Sequence, residues 1–255
     1  MQGLSVDLGA ASPASKRNAA GRAVDDMLAS VPWYKGLPVL ERNLVRSELR
    51  TLTLGTGDYL FQPGASSPGW YGVVDGMVKW SARGADGRSL SIAGLGAGNW
   101  FGEAAMVCHA NFEYEVVALR TTRLVILPRE RCERLWNNNI EFTKALMNHL
   151  AQRVNWLMGR YTSNMLLDVN TAVAQMIVAQ LAAERSAPAD GRLKISQEEI
   201  ACLCGISRQR CNAAIARLVR MGILTTHYAG LTVIDMDGLR RLAAQTVTTG
   251  GRGID

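Results

Sequence analysis

Residues Lys194–Ile234, KISQEEIACLCGISRQRCNAAIARLVRMGILTTHYAGLTVI, read as two helices joined by a tight turn and closed by a hairpin. Ser196 and Glu199 form a capping box, in which the hydroxyl accepts the Glu199 N–H and the carboxylate returns to the Ser196 N–H. Ile200, Leu203 and Cys204 then give an apolar stripe. Ala201 and Gly205 are small where two helices must approach, and Gly205 permits the positive-φ turn that stops the first helix. Ser207 caps a second helix over Arg208–Met221. Its residues Cys211, Ala214, Ile215 and Leu218 face inward, while Arg208, Gln209, Arg210 and Asn212 occupy exposed first turns. Gly222 ends that helix, ILTTH and LTVID make a two-stranded wing with Gly230 in its turn, and Asp237 caps a last short helix. This is helix-turn-helix spacing with a recognition helix.

Charge agrees with that reading. The 255-residue chain, 48% apolar, is long enough for about two domains. Its net charge is +6, and no Asp or Glu occurs from Ile200 through Ile234, where Arg208, Arg210, Arg217 and Arg220 lie. Positive charge is therefore concentrated where DNA phosphate would sit. The first thirty residues lack the apolar run of a secretory signal, and no later run reaches the ~18 residues of a membrane span, so a cytoplasmic location and no membrane partner are expected. Five cysteines without disulfide-like spacing fit a reducing compartment.

Upstream, residues 1–30 are rich in Ala, Ser and Gly and read as a flexible tail ending in a short helix near Val24–Ala29. A helical segment around Pro38–Leu49 precedes seven short β-like runs, LRTLTL, DYLFQ, WYGVVDG, MVKWSA, SLSIAGL, EYEVVAL and TRLVILP. Gly57, Gly64, Gly76, Gly87 and Gly98 punctuate them, so Thr51–Pro128 reads as a compact β-roll. After Pro128 the period changes to a heptad. Ile140, Met147, Leu150, Val154, Leu157 and Tyr161 share one seam, with polar Thr143 and Asn164 in register. A long helix with such a seam is covered by its own copy in a two-fold dimer, or it packs on the β-roll. Asp168 is placed to cap a further helix over Val169–Arg185, and Ser186–Gly191 is a loop.

The order of β-roll, long helix and winged helix-turn-helix resembles the Crp/Fnr superfamily of bacterial transcription regulators over roughly residues 35–245. The match rests on Trp100-Phe-Gly-Glu103, Leu167-Asp-Val169 and Ile195–Leu224. It implies an α+β protein: a double-stranded, cyclic-nucleotide-binding-like β-roll, a long dimerisation helix and a C-terminal winged helix-turn-helix. Expected boundaries are a tail at 1–30, the sensor roll at 31–137, the dimerisation helix at 138–167, the DNA-binding domain at 168–246 and a tail at 247–255. The resemblance also implies a homodimer on a palindromic operator in double-stranded DNA, working with RNA polymerase. The family's base-reading positions fall on Arg208, Gln209 and Ala213. Arg208 suits guanine O6 and N7, Gln209 suits adenine, and Ala213 offers only a contact to a thymine methyl. Ser196, Ser207, Arg210, Asn212 and Arg217 complete the expected DNA-binding set, with Arg217 and Arg220 as phosphate contacts or surface charge.

The expected effector pocket comprises Gly102, Glu103, Phe112, Glu113, Leu157 and Met158. Gly102 and Glu103 coincide with the family's ribose-binding residues. Its Arg-Ser phosphate pair falls on Phe112 and Glu113, and its purine-contacting pair on Leu157 and Met158. An aromatic ring and a carboxylate do not neutralise a phosphate, so cyclic AMP bound in the usual manner is not expected. Trp70, Trp80 and Trp100 with Phe112, Leu157 and Met158 point to an apolar or aromatic effector, or to none. Haem through Cys108, His109 or His149 is a further possibility, as is a redox-responsive regulator. Cys202, Cys204 and Cys211 lack zinc-finger spacing, and Cys204 and Cys211 read as small core residues. A cupin-type metalloenzyme would need several His in the roll, where only His109 lies, so no catalytic or metal-binding residues are assigned and the chain is not read as an enzyme. A sensing module with a degenerate DNA-binding half is the remaining alternative.

Overall fold

The computed structural model describes residues 13–83, 89–166, 168–183, 191–228 and 230–244, with side chains over 21–83, 91–159, 168–181, 191–228 and 230–244. Expectations placed on Gly87, on the side chains of Tyr161 and Asn164, on Leu167, on the loop at 186–190 and on the tail from Thr246 lie outside these.

The chain enters through α1 (Pro13–Ser30), the single turn α2 (Pro32–Lys35) and α3 (Val39–Glu48). The tail expected at 1–30 is corrected over its described part: it is helical from Pro13, and Val24, Met27 and Leu28 are buried with Val31 and Trp33. The 3–4 spacing of those apolar residues gives the Ala- and Gly-rich segment one face to bury.

The roll is built from β1 (Arg50–Leu54), β2 (Tyr59–Phe61), β3 (Gly69–Asp75), β4 (Met77–Arg83), β5 (Ser89–Gly96), β6 (Trp100–Phe101), the short helix α4 (Glu103–Val107), β7 (Glu115–Ala118) and β8 (Thr122–Pro128). Two antiparallel four-stranded sheets, in the orders β1-β8-β3-β6 and β2-β7-β4-β5, enclose an aromatic interior that includes Phe61, Tyr71, Trp80, Phe101 and Phe112. Seven of the eight strands correspond to the seven apolar runs. The two-residue β6 and α4 are too short to leave a period in the sequence. A second cluster packs the N-terminal helices against β3, where Trp33, Trp70 and Trp100 meet Phe142. Gly72 makes this contact possible: a Cβ there would stand 2.9 Å from Trp100 Cε2 and 3.0 Å from Val125 Cγ2.

The single period change expected after Pro128 is two helices. Helix α5 (Arg129–Asn138) ends at Asn139, whose extended backbone breaks the run and whose Oδ1 accepts the N–H of Phe142 at 2.9 Å to start α6 (Ile140–Leu166). Then follow α7 (Val169–Ala183), β9 (Arg192–Leu193), α8 (Gln197–Cys204), α9 (Arg208–Arg220), β10 (Leu224–His227), β11 (Gly230–Val233) and α10 (Met236–Ala243). The wing has a third strand, because β9 adds to β11 to give the order β10-β11-β9. Asp235, not Asp237, caps α10, accepting the N–H of Gly238 at 2.8 Å. Among the described residues no helix is long and apolar enough to cross a membrane.

Candidate nucleic-acid interface and sensor cleft

The two helix starts in Lys194–Ile234 form as the sequence requires. Ser196 Oγ accepts from Glu199 N at 3.2 Å, Glu199 Oε2 accepts from Ser196 N at 2.7 Å, and Ser207 Oγ accepts from Arg210 N at 3.3 Å. Both serines therefore commit their side chains to capping. Gly205 takes the left-handed turn at φ 67° between the helices. Cys211, Ala214, Ile215 and Leu218 bury one face of α9, and Arg208, Gln209, Arg210, Asn212, Ala213 and Arg217 are all exposed on the rest. Packing on α7, α8 and the wing holds that exposed face out from the domain. It presents three guanidinium groups and two amides, the donors suited to phosphates and base edges.

Helix α8 also docks on the roll. Gly94 of β5 permits the approach, since a Cβ there would lie 3.4 Å from Cys202 Cβ and Leu203 Cδ2. Lys79 Nζ reaches Glu198 Oε1 at 3.2 Å, and Arg120 Nε reaches the buried Glu199 at 3.0 Å. This contact corrects the cysteine reading: Cys202, facing the roll, is buried, and Cys204 is only partly so. Cys211 is buried as expected, and burial pushes its thiol up to about 12. Its thiol donates to Gln197 O at 3.5 Å within the core of the helix-turn-helix. No group of three or more metal-binding side chains gathers among the described residues.

In the sensor half, Gly102 adopts φ 91°, close against Tyr71 and Phe112, and turns the chain so that Glu103 opens α4 inside the protein. Phe112 is stacked on Phe61, ring centroids 3.7 Å apart, filling the space where the resemblance places a phosphate pair. Three members of the expected pocket thus come together, and three do not. Glu113 is exposed; Leu157 and Met158 point out from α6, because the face turned to the roll carries Phe142, Leu146, His149, Arg153 and Trp156 instead. Of the residues considered for haem, Cys108 is exposed, His109 Nδ1 lies 2.7 Å from Arg129 Nη1, and His149 Nε2 faces Glu103 at 3.5 Å.

The residues that sequence reasoning missed are those that engage Glu103. This carboxylate is 3% exposed, with Oε1 3.4 Å from Arg153 Nε and 3.5 Å from His149 Nε2. Arg153 also donates to Trp100 O at 2.6 Å and lies over the rings of Trp80 and Trp156. Burial acts to raise the Glu103 pKa, but the polar contact and charge of His149 and the charge of Arg153 outweigh it and hold the carboxyl below its ordinary value. The signal was available as a second stripe on the long helix, at 3–4 spacing from Phe142 to Trp156, masked by the stronger heptad beside it.

The heptad itself is exposed in the single chain at Ile140, Met147, Val154 and Leu157, with Met158 exposed beside it. Leu150 departs from it, packing partly on the Trp33 cluster.

Known proteins share this organisation. The cyclic nucleotide-binding domain profile matches residues 51–139, and the Crp-like helix-turn-helix domain profile matches residues 171–242. A CRP-like cAMP-activated global transcriptional regulator of Mycobacterium tuberculosis is 24% identical over 224 residues, covering 86% of this chain and all of the relative. The transcriptional regulator SdrP of Thermus thermophilus is 27% identical over 204 residues, covering 76% of this chain and 94% of that protein. A CRP/FNR-family transcriptional regulator of known structure, also from Thermus thermophilus, superposes with a TM-score of 0.61 at 25% identity, over 77% of this chain and 99% of its own. With both domains matched in order and the recognition helix presented, the chain belongs to the Crp/Fnr superfamily of transcription regulators, with a DNA-binding helix-turn-helix and a ligand-binding-type β-roll.

Proposed function

We propose that this regulator acts in the cytoplasm as a two-fold dimer on a palindromic operator, beside RNA polymerase, under control of an effector other than cyclic AMP bound in the family manner. The observation that carries the DNA half is the exposed first turns of α9, with Arg208 and Gln209 leading and Ala213 replacing a polar reader. The dimer reading rests on the exposed stripe Ile140, Met147, Val154 and Leu157, a seam on a 27-residue helix that a second copy would cover. The effector reading rests on the Phe61–Phe112 stack, which fills the place where the resemblance puts the phosphate pair, and on the exposed Glu113 beside it, which would repel a phosphate.

The test is fluorescence anisotropy on a duplex selected by the wild-type protein from a random pool, beside an unselected duplex. Affinity should fall steeply as salt rises. Arg208→Ala should cost about 1–3 kcal/mol on the selected duplex and leave the unselected one nearly unchanged. An unchanged ratio between the two duplexes would remove Arg208 as a base reader, and salt-independent binding would remove the phosphate contacts.

A further inference from the structure

A cleft of about 570 Å³ opens on the other side of the Glu103 cluster from the roll interior, between the N-terminal helices, the β5–β6 turn, α6 and α8. Trp33, Trp100 and Trp156 supply aromatic surface, Leu203 brings α8 into the lining, and Arg153 and His149 add cationic and imidazole side chains to it. The amides of Asn99, Asn148 and Gln152 supply further hydrogen bonds, and no Asp or Glu belongs to the lining. Its volume lies within the range of small-molecule sites, roughly 300–1,000 Å³.

The polar edge of the cleft is set by the Glu103 cluster: His149 Nε2 turns inward to Glu103 Oε1 at 3.5 Å while the His149 side chain is 25% exposed on the cleft wall. Arg153, with its side chain 13% exposed, directs Nε to Glu103 and one N–H of Nη2 to Trp100 O, which leaves the other Nη2 N–H and both N–H groups of Nη1 as further donors of its five.

We infer that this cleft binds a small monocarboxylate with an aromatic or branched apolar body: the carboxylate on Arg153 and His149, the body between the tryptophans and Leu203. A single guanidinium, with Glu103 directly behind it, favours a monoanion over a phosphate dianion, because the second charge would meet the buried carboxylate without a second fixed cation. The site is distinct from the roll interior filled by Phe61 and Phe112. An occupant touches the sensor, the long helix and the DNA-binding half at once.

The inference does not depend on the DNA-binding reading, and its test is run without DNA. Saturation-transfer difference NMR of the full chain is recorded with 4-phenylbutyrate, indole-3-propionate and 4-methylvalerate, each paired with its primary amide. At least one acid should bind, with its amide weaker by about tenfold or more, the size of one lost charge-assisted hydrogen bond. Arg153→Met should weaken the acid by a similar factor. Because that change also touches a buried ion pair, Asn148→Trp, at an exposed wall position, serves as the second variant and should abolish binding by filling the cleft while the thermal unfolding curve stays in place. Equal binding of acid and amide, undiminished binding in Asn148→Trp, or no binding by any acid overturns the assignment.

Discussion

Replacing Arg153 by Met takes away the guanidinium that faces the buried Glu103 carboxylate while keeping most of the side-chain volume. Removing one partner of a buried pair costs about 3–5 kcal/mol. Two features place this case at the lower end: the Nε to Oε1 distance is 3.4 Å, long for an ion pair, and His149 remains 3.5 Å from the same oxygen. Two others add to the loss: the 2.6 Å charged hydrogen bond to Trp100 O, in a class worth about 1.5–3 kcal/mol, and the position over the Trp80 ring, worth roughly 0.5–1 kcal/mol. We expect a loss of about 3 kcal/mol at pH 7, read from urea denaturation followed by tryptophan fluorescence. Glu103→Gln in the same chain should return about 1–2 kcal/mol, because a neutral amide no longer needs the cation. The pH dependence has a fixed sign. A carboxyl held below its ordinary 4.5 contributes stability above that value and loses it as pH falls through the lowered one. Without Arg153 the burial effect gains weight and the carboxyl moves up, so the gap between wild type and variant should narrow below about pH 4.5. A penalty under about 0.5 kcal/mol, or one of the same size in the Glu103→Gln background, would show that the guanidinium does not act through this carboxylate.

Two predictions concern packing. Val154→Glu, 57% exposed in the single chain, should leave the fold intact and yield monomers in sedimentation; a persisting dimer would place the interface off the α6 seam. Gly72→Ala should lower stability by about 1–3 kcal/mol in thermal unfolding, because its Cβ would press into Trp100 and Val125, and an unchanged melting curve would show that the Trp100 ring moves freely.

Local rules carried far in this chain. The capping box at Ser196, the cap at Ser207 and the αL glycine at 205 act over at most four residues, so Lys194–Ile234 could be read without knowing what lies around it. The alternating strands were legible for the same reason. Short elements were not: β6 has two residues and β9 two, too few for a period, and both form only because a distant strand pairs with them. The N-terminal segment looked like a tail because its apolar residues are sparse, and only the surface beside Trp33 and Trp70 makes their burial worth the ordering entropy.

The sensor shows the same division. Sequence alone established that Phe112 and Glu113 lack the chemistry of a phosphate site, a matter of residue type. It could not establish what stands in place of that chemistry. Glu103 and Arg153 are 50 residues apart, and their pairing depends on how α6 packs beside α4. The long helix offers two stripes, and side-chain type alone does not say which faces inward. Burial of Phe142 and Leu146, with Trp156 partly buried, decides it: the protein interior takes the stripe with Arg153, and Ile140, Met147, Val154 and Leu157 of the heptad stay exposed in the single chain. What the sequence determined by itself was therefore the local geometry of caps, turns and strands, where the interacting atoms are neighbours in the chain. The tertiary structure decided which charges meet across it, because only folding brings such groups within reach and sets the burial that gives their contact its strength.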